Sequence, residues 1–585
     1  MSYVGAHLQS PGPDIPIPIE EGKRVNLGYL LKLNPSRRRA VATTVAMAVM
    51  AAVAVLAWSL ASGGAVAQGA TAALPAGCSA GTSVTTNTGP VCGTSQIGFN
   101  QWLGIPYAAP PVGNLRWKSP QAHAKWTTPL AAVNQVPGCP GSGTTTASED
   151  CLQLDITTPT GANVPSTGRL PVIFYIHGGG FTGGTTSTYP EDTLAMSGPV
   201  VVVGIEYRLG VLGFLADEAL GAHSGDYGLQ DQKFAMRWVK KNIAQFGGDP
   251  SNITIMGSSA GASSVCDQIA SPAAAGLFQK AISISGEYNS LFGAPTSLQP
   301  QDCKAQLATE QQAQATGVTF AASVGCGNVA DVAECLRAVP VATLEAAQAN
   351  GGTNSPIVNG TTLKEQPLES FATGNVNRVP AILGVNRDED LTGTAQTPAA
   401  YTALVNSQYG PPFGTHAAQV LNRYPLARFP TPFIASRTVA ADSNTVCPAL
   451  TRDGFLSQVM PVYAFEGDVP DLPPYSTTST TDPAGSMHDF EPGYLFPTAM
   501  GIPVLLDADQ ATLRTEIDAQ FTDFAATGSP NGNGLPTWPT YSQSSGNLVM
   551  SLEPAGDDQL LSKAAISFDH QCGFWNQISP APQPN

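Results

Sequence analysis

At 585 residues the chain is long enough for one large catalytic domain or several average ones. Its 42% hydrophobic content is ordinary, but 12% charged residues is low, and 60 glycines with 49 prolines point to a loop-rich surface that relies little on ion pairs. A formal charge of −16 argues against a nucleic-acid surface, which needs clustered Lys and Arg. No zinc-type spacing, His-Glu-x-x-His, Walker loop or solenoid-length repeat occurs, so no metal and no cofactor is expected.

Residues 1–36 read as a flexible polar tail, because Pro11, Pro13, Pro16 and Pro18 oppose any regular element. Arg37-Arg38-Arg39 is followed by an uncharged apolar stretch, Ala40 to Ala61, and then by Ala65-Val66-Ala67 before Gln68. A basic segment, an apolar core and Ala-x-Ala form an export signal over residues 37–67, which leaves 68–585 as one catalytic domain outside the cytoplasm. The apolar run 40–61 is also long enough to span a bilayer, so membrane attachment through an uncleaved anchor is the alternative. All ten cysteines lie after this segment, as expected of disulfides in an oxidising compartment.

In chain order, Pro171–Ile176 is a continuous apolar run that reads as a strand buried on both faces. It leads into His177-Gly178-Gly179-Gly180-Phe181, where backbone N–H groups can converge on one point because no side chain intervenes. Val200–Arg208 reads as a further strand and Leu229–Phe246 as a helix, with Leu229, Phe234, Trp238, Ile243 and Phe246 at loosely helical spacing. Asn252–Met256 is a short β-branched strand, followed by Gly257-Ser258-Ser259-Ala260-Gly261 and a helix of small and apolar residues. Gly-x-Ser-x-Gly between strand and helix is a nucleophile elbow, with Ser259 at its tip.

Ala281–Ser285 and Val379–Asn386 are further strands, separated by a less regular, helix-rich stretch. Asp388 and Glu389 follow the second of these, where the acid of a Ser, acid, His order is expected; both are candidates. Residues 391–455 read as a helical excursion, Met460–Glu466 as a returning strand and Gln510–Ala526 as an amphipathic helix carrying Leu513, Ile517, Phe521 and Phe524. Of seven histidines (7, 123, 177, 223, 416, 488 and 570), only His488 follows the acid on a loop after a sheet strand. Helix and strand alternation predicts a mostly parallel, doubly wound sheet.

Three segments together carry a resemblance: Gly104–Trp117, Ser148–Ile156 and the elbow. They are similar to the type-B carboxylesterase family, which includes the cholinesterases and the larger microbial lipases, and the resemblance runs from about residue 79 to 576. It implies an α/β-hydrolase fold, a large mostly parallel twisted sheet with helices on both faces and a helical cap region. It implies hydrolysis of a small-molecule or lipid ester through an acyl-enzyme: Ser259 as nucleophile, His488 as base and Glu389, rather than Asp388, as orienting acid. The oxyanion donors become the N–H groups of Gly179, Gly180 and Ala260.

The resemblance also pairs Cys139 with Cys151, Cys447 with Cys572 and, more loosely, Cys326 with Cys335. Cys78–Cys92 follows only from proximity, and Cys266–Cys303 is what remains. Arg208 with Asp231 and Arg116 with Glu149 match two buried ion pairs of the family. One departure stands out. Ser258 occupies the position before the nucleophile where the family usually has glutamate. The Cys139–Cys151 loop is built from Gly, Ser and Thr, so no aromatic rim supports choline-ester specificity. A lipase on long-chain glycerides and a non-catalytic binding protein are the alternatives.

Overall fold

The computed structural model describes residues 74–578 except 136, 162, 163, 165–167, 287–302, 304–306, 349–353, 390–394, 412–414, 470–484, 489–493, 497, 500, 501 and 504. The tail 1–36, the segment 37–67 read as an export signal and the apolar run 40–61 therefore lie outside the described residues.

The β-branched runs build the middle of an eleven-stranded sheet. Its strands are β1 (Thr94–Ser95), β2 (Phe99–Pro106), β3 (Gln153–Pro159), β4 (Leu170–Ile176), β5 (Val201–Ile205) and β6 (Gly248–Ser258). They continue with β7 (Lys280–Ile284), β8 (Ala381–Asn386), β9 (Val462–Gly467), β10 (Leu548–Leu552) and β11 (Gln559–Ser562). Their order in space is β11-β10-β9-β8-β7-β6-β4-β5-β3-β2-β1. From β10 to β5 every pair is parallel. The edges, β3-β2-β1 on one side and β11 on the other, pair antiparallel.

Successive side chains of a strand point to opposite faces, and β4 shows what each face meets. Val172, Phe174 and Ile176 join one core with Leu229, Met236 and Val239 of helix α1 (Tyr227–Asn242) and Val265 and Ile269 of helix α2 (Ala260–Ala270). Ile173 and Tyr175 join the other with Leu513, Ile517, Phe521 and Phe524 of the long helix Ala508–Thr527. Each such side chain contributes about 1.5–3 kcal/mol on full burial, so the double covering explains why the central strands carry no polar alternation. Helices Glu310–Ser323, Val332–Ala338 and Val341–Gln348 add a third, smaller core around Trp117, Phe320, Leu336 and Leu344. Among the described residues no helix is long and apolar enough to cross a membrane.

One expectation changes. The strand expected over 200–208 stops at Ile205, because Glu206 and Arg208 turn off the sheet to satisfy buried polar partners.

All ten cysteines are paired: 78–92, 139–151, 266–303, 326–335 and 447–572. Both family ion pairs are present. Arg116 binds Glu149 through two hydrogen bonds of 2.7 and 2.6 Å, and its third nitrogen donates to the carbonyls of Arg337 and Val339, which fixes the Cys326–Cys335 region. Arg208 grips Asp231 of α1 through two bonds of 2.7 Å, fully inside the protein. Arg208→Met leaves that carboxylate buried without a cation, and is expected to cost about 3–5 kcal/mol. Denaturant unfolding of parent and variant measures it.

Candidate active site

The site lies at the carboxyl ends of neighbouring parallel strands, the usual crevice of an open α/β sheet. The glycine loop follows β4, Ser259 follows β6, Ser285 follows β7 and Glu389 follows β8. The loop bearing His488 follows β9, the next strand along.

Ser259 sits between β6 and α2 at φ 58°, ψ −129°, a conformation that a non-glycine residue holds only under strain. Its N–H is fixed on the Ile284 carbonyl at 3.0 Å, and its own carbonyl accepts from Ser263 N–H inside α2. The flanking glycines are required by contact. A Cβ on Gly261 would stand 2.0 Å from the Ile176 carbonyl oxygen, and one on Gly257 would stand 2.4 Å from the Gly261 carbonyl carbon. Gly261→Ala is accordingly expected to cost at least about 3 kcal/mol, the upper end of ordinary overpacking, and to remove activity with it. Gly573→Ala, where no atom lies within 4 Å, is the control. Melting temperatures of the two variants make the comparison.

The glycine loop packs directly on the elbow. A Cβ at Gly178 would be 2.9 Å from the Ser259 Cβ. Gly179 and Gly180 have φ of +115° and +64°, and Gly179 O accepts from the N–H groups of Thr182 and Gly183, closing the turn. Ala260 opens α2, and the first N–H groups of a helix have no partner within it. The three expected oxyanion donors therefore belong to two segments in contact around Ser259. Tyr207 Oη donates to the His177 carbonyl, and its ring stacks on His177 at 4.5 Å, holding the start of the loop.

Glu389 and His488 are brought together: the Glu389 Oε1 carboxylate oxygen is hydrogen-bonded to His488 Nδ1, and both residues are buried. The other carboxylate oxygen, Oε2, accepts from Ser285 Oγ at 2.7 Å and from Asn386 N–H at 2.9 Å. Asp388 is engaged elsewhere. Its carboxylate accepts from Ser486 N–H at 3.0 Å, and its own N–H donates to the Ser486 carbonyl, so it shapes the loop that carries His488. Ser259 retains 8% exposure, where Ser258 and Ala260 on either side are closed off. Of the other described histidines outside the glycine loop, His123 lies against Trp126, His223 on Glu310, His570 between Asp442 and Glu466, and His416 before helix Ala417–Arg423.

Sequence reasoning missed Ser285. Its signal was faint, a serine ending a buried strand, and here it takes φ 58° to reach the acid. Ser258, the departure from the family pattern, ends β6 fully buried. Among the described residues no group of His, Cys, Asp and Glu is placed to hold a metal ion.

A serine on a strained strand-to-helix turn, over a mostly parallel sheet and beside a glycine loop, defines an α/β-hydrolase. The chain belongs to the carboxylesterase family, whose pattern matches residues 80–410 and 427–575, and it is a carboxylic-ester hydrolase. It is 30% identical to the para-nitrobenzyl esterase of Bacillus subtilis (strain 168) over 78% of this chain and 92% of that one. It is 30% identical to the liver carboxylesterase of Sus scrofa over 82% and 88%. The solved structure of a PNB esterase superposes with a TM-score of 0.68 at 28% identity, covering 84% of this chain and 99% of the other.

Proposed function

We propose that this protein is an exported serine carboxylesterase acting on small, soluble esters, with Ser259 as nucleophile, His488 as general base and Glu389 as orienting acid. The observation that carries this reading is the buried Glu389–His488 hydrogen bond on the loops next to the strained Ser259 elbow. A carboxylate on Nδ1 selects the imidazole tautomer whose Nε2 lone pair is free to take a proton. Ser259 Oγ attacks the ester carbonyl as His488 takes its proton, and Glu389 stabilises the imidazolium. The oxyanion is met by the N–H groups of Gly179, Gly180 and Ala260, and one such donor is worth about 3–4 kcal/mol. His488 returns the proton to the leaving alcohol. Water then repeats the sequence on the acyl-enzyme, releasing the acid.

Ser258 beside the nucleophile is neutral, so nothing at that position attracts a cationic alcohol group. Export is supported by the basic and apolar segment at 37–67 and by the pairing of all ten cysteines. Retention in the membrane fraction after expression would favour anchoring through 40–61 instead. Turnover of soluble p-nitrophenyl butyrate, compared with a micellar long-chain ester, tests the substrate. Preference for the soluble ester supports the reading; preference for the micelle moves the protein to the lipases, and a folded but inert protein to the binding proteins.

A further inference from the structure

Beneath the glycine loop lies a group of acids that the proposed chemistry does not use. Asp155 on β3 is the register partner of Gly204 on β5. Glu191 lies over Gly204, its Oε1 within 2.0 Å of where a Cβ would stand. Glu206 follows β5 immediately. All three are buried, and among the described residues no Lys or Arg bonds any of them. Unpaired carboxylates are not held in such an interior; they are neutralised by protons instead.

The hydrogen-bond count agrees. Thr186 Oγ1 lies 3.0 Å from Asp155 Oδ2 and 3.1 Å from Glu206 Oε1. One hydroxyl carries one proton, so both contacts are hydrogen bonds only if one carboxyl donates to the hydroxyl. With its imidazole kept neutral by burial, His177 makes the same demand. Its Nδ1 donates to the Gly178 carbonyl at 2.8 Å, which leaves Nε2 with a lone pair facing Glu206 Oε2 at 3.7 Å. Among the described residues neither atom has a hydrogen-bond partner, and both residues are wholly inside. A carboxylate there would set acceptor against acceptor; a protonated carboxyl supplies a donor.

Glu206 is also what ties down the far end of the glycine loop. It accepts from Thr185 Oγ1 at 2.6 Å and from Thr186 N–H at 2.8 Å, the residues directly after Gly183-Gly184. Tyr107 Oη donates to its backbone carbonyl at 2.7 Å. The titratable groups packed around it are His177, Asp155, Glu191 with Asp192, and Tyr107, Tyr189 and Tyr207. We propose that Glu206 works protonated, sharing protons with Asp155 through Thr186, and is the positioning residue that holds the oxyanion loop on the elbow. Burial pushes the Glu206 and Asp155 carboxyls up to about 7, and burial pushes His177 down to about 4, which keeps all three neutral below pH 7. The role in the loop rests on the esterase reading; the protonation does not.

A folded-state value raised from the ordinary 4.5 to about 7 gives stability that is full below about pH 4.5 and lost as pH rises through 7. In the full-length protein, Glu206→Gln fixes the neutral form. Its melting temperature should fall less than the parent's over that window, and Asp155→Asn should behave alike if Glu206→Gln does not fold. The infrared band of a protonated carboxyl should be present in the parent at neutral pH and weaker in either variant. For positioning, the kcat ratio of Glu206→Gln to parent on p-nitrophenyl butyrate should rise with pH through about 7 at constant KM. Parallel melting curves, or no protonated band in the parent, would overturn the protonation. A pH-independent kcat ratio would overturn the positioning role. A parent with pH-linked stability and no turnover would instead overturn the esterase reading and leave the protonation supported.

Discussion

Ser259→Ala is expected to lower kcat by roughly a millionfold, the scale on which removing the nucleophile of a serine hydrolase acts. The loss is large because the acyl-enzyme route disappears, leaving only the binding pocket and the oxyanion donors to help water. KM and the fold should change little. The hydroxyl is a small part of a residue whose backbone bonds, to Ile284 O and from Ser263 N–H, stay in place. Alanine at φ 58° keeps the elbow strain without adding to it. Single-turnover kinetics with a soluble p-nitrophenyl ester, beside circular dichroism of both proteins, measures the two sides of this expectation.

Glu389→Gln should cost about 10⁴ in kcat, again with little change in KM. The substitution keeps the shape but exchanges a charged acceptor for an amide. Glutamine can turn its NH₂ toward His488 Nδ1, which selects the tautomer with the proton on Nε2, where the base must be free. It also withdraws the negative charge that stabilises the imidazolium. Ser285 Oγ and Asn386 N–H donate to the second carboxylate oxygen, so in the variant they hold the amide oxygen there and leave its NH₂ facing His488. Asp388→Asn distinguishes this from a general charge effect. Its carboxylate serves Ser486 N–H and does not reach His488, so a much smaller loss is expected.

The middle of the sheet was legible because burial on both faces narrows the choice of residue: 171–176 is an unbroken apolar run, 253–255 is β-branched throughout, and both lie in strands. The elbow was legible for a related reason. Gly257 and Gly261 each face a backbone atom too close for any side chain, so a three-dimensional contact is written as a local pattern. The edges were harder. β10 and β11 form an antiparallel pair whose outer strand is half exposed, and short mixed sequences such as Gln559–Ser562 carry no clear period.

Polar residues that act across the fold were hardest. Glu206 looked like part of a strand because its partners, Thr185, Thr186 and His177, are brought to it only by folding. Ser285 and its bond to an acid 104 residues away are of the same kind. Asp388 and Glu389, adjacent in sequence, could be told apart only by the family resemblance or by the coordinates, since one points to Ser486 and the other to His488.

The most direct test of the catalytic assignment is covalent labelling of the full-length protein with an alkyl fluorophosphonate, followed by peptide mass spectrometry. The chemistry described here predicts one adduct per chain, on Ser259, formed as esterase activity is lost and absent from Glu389→Gln at matched times. An adduct on another serine, or a folded and unlabelled Ser259, would contradict it.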